Sequence, residues 1–155
     1  MKRGTILLVL VALAVAGAAP ASAHGAVSCR PINAKATGVG QDLGGGQVQV
    51  TAQVIGGGLL HGTYDASFTI TGFSGTVASF EGPIVFTVAG GTVTAQVTGT
   101  LDVTNGQFQA TSTSITGTGR LAGATGSLTF SGVQNFVTGS FTETIRGVLC
   151  VDLSP

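Results

Sequence analysis

The chain has 155 residues, of which 26 are glycine and only 8% carry charge. Its six Lys and Arg offset its six Asp and Glu, and cations this sparse do not build the basic stripe that nucleic-acid binding requires. A chain of this length is expected to form one domain.

Residues 1–23 read as an export signal. Lys2 and Arg3 give a positive start, residues 6–16 are unbroken apolar, and Gly17 and Pro20 end the run. Ala21-Ser22-Ala23 then places small residues where a signal peptidase cuts. The run is shorter than the roughly 20 apolar residues that span a bilayer, and Cys29 lies too far from the cut to be a lipid-attachment cysteine. Cleavage before His24 leaves Arg30, Lys35, Arg120 and Arg146 against six acids, a net charge of −2. No later apolar segment is long enough for a membrane helix, so a soluble secreted protein is expected.

Residues 24–46 show no clear periodicity, with Pro31, Gly38, Gly40 and Gly44-Gly45-Gly46 punctuating them. They are expected to form an N-terminal arm, with at most a short strand near residues 28–34. Cys29 and Cys150 stand near opposite ends of the exported chain, and in an oxidising compartment such a pair reads as a disulfide. Chain entropy gives a loop of this size roughly 4–5 kcal/mol. A zinc site would need further His or Cys ligands at suitable spacing, which the chain lacks.

From Gln47 onward the period is two. Val48, Val50, Ala52 and Val54 alternate with Gln and Thr, and Gly56-Gly57-Gly58 makes a turn. Tyr64, Ala66, Phe68 and Ile70 repeat the alternation. Residues 73–81 read as a less regular strand that Gly82-Pro83 interrupts, since proline lacks the N–H a ladder needs. Ile84, Phe86 and Val88 lead to a Gly90-Gly91 hairpin signal, and Val93 to Val103 make the longest alternating run. Asn105-Gly106 predicts a two-residue type I′ hairpin, which needs positive φ at both positions. A polar return strand covers residues 107–116, and two more follow at 127–133 and 140–151. Some eight strands joined by short turns, without helical periodicity, predict an all-β up-and-down antiparallel barrel over residues 47–155.

Between the last two hairpins lies Thr116-Gly117-Thr118-Gly119-Arg120-Leu121-Ala122-Gly123-Ala124-Thr125-Gly126. A phosphate-cradling loop would lead into a helix and carry a Lys-Ser/Thr pair, whereas here a strand follows. The glycines instead suit a backbone that turns tightly, and Arg120 reads as a solvated loop cation. Gly117-Thr118-Gly119, Leu121, Ala124 and Gly126 resemble the glycine motif of the allene oxide cyclase and dirigent barrels. The resemblance covers residues 47–152. It implies an eight-stranded, calycin-like barrel with an apolar cavity, no required cofactor, and a homo-oligomer, often a trimer. Those families place their working residues outside this motif, so no site residue carries over. The absence of tryptophan and the single tyrosine make a sparse lining for the substrates those families handle.

Two carboxyls are the candidate acid–base groups. Glu143 shares parity with Phe141 and Ile145, so it points inward if they do, and its pKa would then be raised. Glu81 is a candidate partner. The cost of an interior acid favours the alternative, a bulge that turns Glu143 outward beside a threonine or Arg146. His24-Gly25 looks like the start of the bacterial lytic polysaccharide monooxygenases, whose terminal histidine chelates copper with a second histidine. Only His61 could be that second ligand and the family's other features are missing, so no metal is expected. No serine occupies a nucleophile elbow, and neither histidine is placed as its base.

Three functional readings follow. The favoured one is a barrel, not an enzyme, that binds a small apolar molecule against Tyr64, Phe68, Phe86, Phe130 and Phe141. A cofactor-independent cyclase or isomerase using Glu143 or Glu81 is the second, and a solid structural or interaction barrel is the third. An open cavity with an inward carboxylate favours the enzyme, purely apolar walls favour binding, and a filled interior favours the structural role.

Overall fold

The computed structural model describes residues 26–152. The expected signal peptide, the cleavage point and His24, with its copper reading, lie outside them. Eight strands close into an antiparallel barrel in which each strand pairs with its neighbour in sequence and β8 returns to β1. The strands are β1 (Val27–Gly44), β2 (Gln47–Gly56), β3 (Gly62–Ser74) and β4 (Val77–Val88). They continue as β5 (Gly91–Asp102), β6 (Gln107–Gly117), β7 (Thr125–Gln134) and β8 (Ser140–Asp152).

The period-two pattern sorts side chains as a barrel requires. Val50, Ala52, Val54, Tyr64, Ala66, Val93, Ala95, Val97, Leu128 and Phe130 face inward and are buried. The Gln, Thr and Ser between them are mostly exposed. Among the described residues no helix is long and apolar enough to cross a membrane.

Three local expectations are corrected. The segment expected as an arm is β1, the longest strand, which buries Ile32, Ala34 and Ala36. Its small inward residues hide the alternation. Pro31 is tolerated because β1 pairs with β8 there, while pairing with β2 begins only at Ala34. Gly82-Pro83 does not end a strand either: β4 runs through it, and Pro83 pairs with Gln96 of β5 where the β3 ladder skips from Ala66↔Ile84 to Thr69↔Glu81. The β5–β6 turn is not type I′, because only Gly106 has positive φ there. Asp102 organises it instead, accepting hydrogen bonds from the Thr104 N–H at 2.9 Å and the Asn105 amide at 3.2 Å.

The two barrel ends differ. At one end, short 3-10 turns at Gly58–Leu60 and Gly119–Leu121 fold inward and bury Leu60, Leu121 and Ala124. Together with Val54, Val93, Leu149 and Val151 they make a solid floor. The glycine-rich segment is therefore the plug between β6 and β7. Gly119 has φ 61°, and the Arg120 N–H reaches the Gly90 carbonyl at 2.9 Å. A Cβ at Gly119 would meet that same carbonyl. Gly119→Ala is expected to cost about 1–3 kcal/mol through strain and this clash, read as a lower urea midpoint.

The Cys29–Cys150 disulfide is present. Its cysteines face each other directly across the β1–β8 seam that closes the barrel.

Candidate functional site

The opposite end is open. A cavity of about 280 Å³ enters between the β1–β2, β3–β4, β5–β6 and β7–β8 connections and reaches Tyr64, Phe130 and Glu143. That is near the small end of the ~300–1,000 Å³ typical of small-molecule pockets. Space arises because several inward positions in this half carry no bulky side chain: Ala36 and Gly38 on β1, Ala78 on β4, Ala110 on β6 and Gly132 on β7. Aromatic rings settle over the glycines. Phe80 lies over Gly99, with its Cζ 2.5 Å from where a Cβ would stand, and Phe108 lies over Gly132 at 2.6 Å.

The wall is apolar, formed by Val48, Val50, Ile70, Ile84 and Leu101 together with phenylalanines from five strands. Phe68 and Phe80 pack with ring centroids 5.0 Å apart, and Phe108 and Phe141 meet edge-on at 6.1 Å. Apolar residues continue onto the rim, where Leu43, Phe73, Val103, Phe136 and Val137 are exposed.

Besides Asp42 and Gln134, one hydrogen-bonded polar pair interrupts this surface. Glu143 is 6% exposed and points into the barrel, so the expectation that a bulge would turn it outward is corrected. β8 keeps an unbroken register with both β1 and β7, and nothing swaps its parity. Ala36 and Gly132 flank Glu143 on the neighbouring strands. Tyr64, from β3, donates its hydroxyl proton to Glu143 Oε1 at 2.7 Å. Burial raises the Glu143 carboxyl from 4.5 to about 7, while the Tyr64 hydrogen bond pulls the other way. Tyr64 is driven well above the ordinary phenol range by burial, then by the charge on Glu143 and the bond to it. Its ring is held edge-on by Phe86 at 5.4 Å.

Of the residues expected to line a cavity, Tyr64, Phe68, Phe130 and Phe141 do so. Phe86 does not. It is fully buried behind Tyr64 and Phe130, supporting both rings. Glu81 is exposed on the outer face, so the two carboxyls are not brought together and Glu81 has no part in the site. His61 is exposed beside the floor turn, at the end away from the cavity, and among the described residues no cluster of His, Cys, Asp and Glu could hold a metal. Arg120 is exposed on the plug, as a solvated cation. The sequence reading overlooked Phe80, Phe108, Gln134, Phe136 and Asp42, all of which line the cavity. For Gln134 the signal was its parity with Phe130.

These features define a closed eight-stranded barrel with a one-ended apolar cavity and a buried Tyr–Glu pair. No protein-family model matches the chain, and no curated protein matches it. Among solved structures it is similar to the Diels-Alderase AbmU from Streptomyces koyangensis, with 13% identity and a TM-score of 0.43, over 84% of this chain and 70% of that one. A similarity of that size carries no argument about the site. The expected likeness to allene oxide cyclase and dirigent barrels is met at the level of a closed eight-stranded barrel, not of a particular family.

Proposed function

We propose that the protein is an exported barrel that takes up a small apolar molecule through its open end, with Tyr64 and Glu143 meeting the one polar group of that molecule. The observation that carries this reading is the cavity itself: floored at one end, open at the other, and lined mainly by apolar side chains, with Asp42, Gln134 and that pair as its polar lining residues. The disulfide supports export, since such bonds persist in oxidising compartments. A homo-oligomer remains part of the proposal through the barrel families it resembles.

The test uses prodan, a neutral naphthyl ketone whose emission shifts to the blue in apolar surroundings. The wild type is expected to bind it saturably. Ile70→Trp with Leu101→Trp, two half-buried wall positions, is expected to weaken binding at least tenfold while leaving the urea midpoint near wild type. Equal binding by both proteins would refute uptake into the cavity.

Uptake comes first because catalysis would also require it. The inward carboxyl in an open cavity favours a second reading, acid–base isomerisation or cyclisation, for which a pKa of about 7 suits proton transfer near neutrality. Glu143 would take a proton from a carbon beside a carbonyl and return it elsewhere on the substrate. Deuterium exchange at the methyl group of naphthyl methyl ketone in heavy water, faster with wild type than with Glu143→Gln, would support catalysis. Equal rates would leave binding alone.

A further inference from the structure

The charges around the cavity narrow the ligand further, and this step rests on the uptake reading above. Its ionisable lining residues are Asp42, Tyr64 and Glu143; no Lys, Arg or His is among them. Asp42 stands at the mouth, beside the β1–β2 turn, where its carboxylate accepts the Gly44 N–H at 2.8 Å. A ligand carboxylate entering here would pass one acid and stop against another, with no cation to receive it. Stripped of water among aromatic rings, it would lack the pairing that a buried charge needs.

The surroundings of Glu143 leave one oxygen for a ligand. Oε1 is occupied by the Tyr64 hydroxyl. On its own strand it stands between Phe141 and Ile145, and its flanking neighbours are Ala36 on β1 and Gly132 on β7. None of these four has a polar side chain. Tyr64 is thus the one titratable group against it. Oε2 has no hydrogen-bond partner from the described residues, and the carboxyl forms part of the cavity wall. With Tyr64 donating to Oε1, a protonated Oε2 is placed to donate into the cavity, so the pair presents a hydrogen-bond donor at the inner end of an apolar tube.

We propose that the barrel selects uncharged apolar molecules carrying a hydrogen-bond acceptor such as a ketone or other carbonyl oxygen, bound by the O–H of Glu143, and that it excludes carboxylates such as fatty acids. The alternative use of two acids among aromatic rings is an amine site, which needs Glu143 ionised. Burial opposes this by holding the proton on the carboxyl up to about pH 7.

The experiment compares four naphthalenes of one size against wild type by calorimetry: ethylnaphthalene, naphthyl methyl ketone, naphthoate and naphthylmethylamine. Near pH 5.5, below the Glu143 midpoint, the ketone is expected to bind about 3–10-fold tighter than ethylnaphthalene, the value of one net hydrogen bond. Naphthoate and the amine should bind more weakly than either. Near pH 8.5 the ketone's advantage over ethylnaphthalene should vanish, because an ionised Glu143 has no proton to give. Glu143→Gln, whose amide still donates, should keep the advantage at both pH values.

An amine that binds tightest and tightens with rising pH would overturn the proposal, as would tight binding of naphthoate or a ketone advantage unchanged by pH in the wild type. In those cases uptake of apolar molecules would stand. If none of the four bound, including the plain hydrocarbon, the uptake reading itself would fail.

Discussion

Replacing Cys29 and Cys150 with serine is expected to lower the unfolding free energy by about 4–5 kcal/mol, the chain-entropy value of a long closed loop. The two cysteines are 121 residues apart, so the bond restrains almost the whole described chain in the unfolded state. Domains of this size are stable by only about 5–15 kcal/mol, so the loss is about a quarter of the total or more. With a urea dependence of about 2 kcal/mol per molar, the midpoint should fall by about 2 M. The same fall should follow reduction of the wild type. The bond also spans the seam where first and last strands meet. That seam runs from Val27↔Asp152 to Val39↔Ser140, whereas β6 and β7 pair only from Gln107↔Val133 to Thr111↔Thr129. Unchanged midpoints would show that the ladder alone closes the barrel.

Stability should also fall by about 3 kcal/mol between pH 4.5 and 7 on account of Glu143. Its folded carboxyl titrates near 7, against 4.5 when unperturbed. Below pH 4.5 both folded and unfolded chains hold the proton, and the contribution is fully present. Between the two values the folded chain holds a proton that the unfolded chain has lost, so each rising pH unit costs about 1.4 kcal/mol. Above pH 7 neither form holds it and the loss levels off. Asp102 works in the opposite direction and in a lower window: hydrogen bonds from Thr104 depress its pKa below 3.8, so its contribution is lost only as pH falls further. Glu143→Gln should flatten the upper window, as followed by urea unfolding across the range. Tyr64→Phe removes the bond that draws the Glu143 pKa down, and should extend the window upward. A wild-type profile flat from pH 4.5 to 7 would contradict the burial of a lone carboxyl.

Much of the barrel was legible because period-two alternation is a local signal. Val48 to Val54 and Val93 to Val97 point inward as their spacing indicates. β1 was harder to read, since Ala34, Ala36, Gly38 and Gly40 give little hydrophobic contrast, and Pro31 looks like a breaker until one sees that its unpaired side has no neighbour. The parity of Glu143 with Phe141 and Ile145 placed it correctly. Weighing the cost of an isolated acid turned it outward, because its partner Tyr64 lies 79 residues away and is brought to it only by closure of the sheet. The glycine-rich segment reads as a turn, as it is. Its work as the floor depends on Leu121 and Ala124 folding into the barrel end and on the approach of Gly119 to Gly90. Neither contact has a local signature. The cavity depends on where small residues on different strands face one another, which only the register decides.

The most direct test follows the side-chain carboxyl carbon of Glu143 by NMR from pH 3 to 9, with and without saturating naphthyl methyl ketone. An inward, Tyr64-bonded acid that donates to a ligand predicts a midpoint near 7 in the unliganded protein, displaced upward by the ketone and absent in Glu143→Gln. A midpoint near 4.5 that the ketone does not move would mean a solvated carboxylate, and would contradict a ligand-accepting barrel built around this pair.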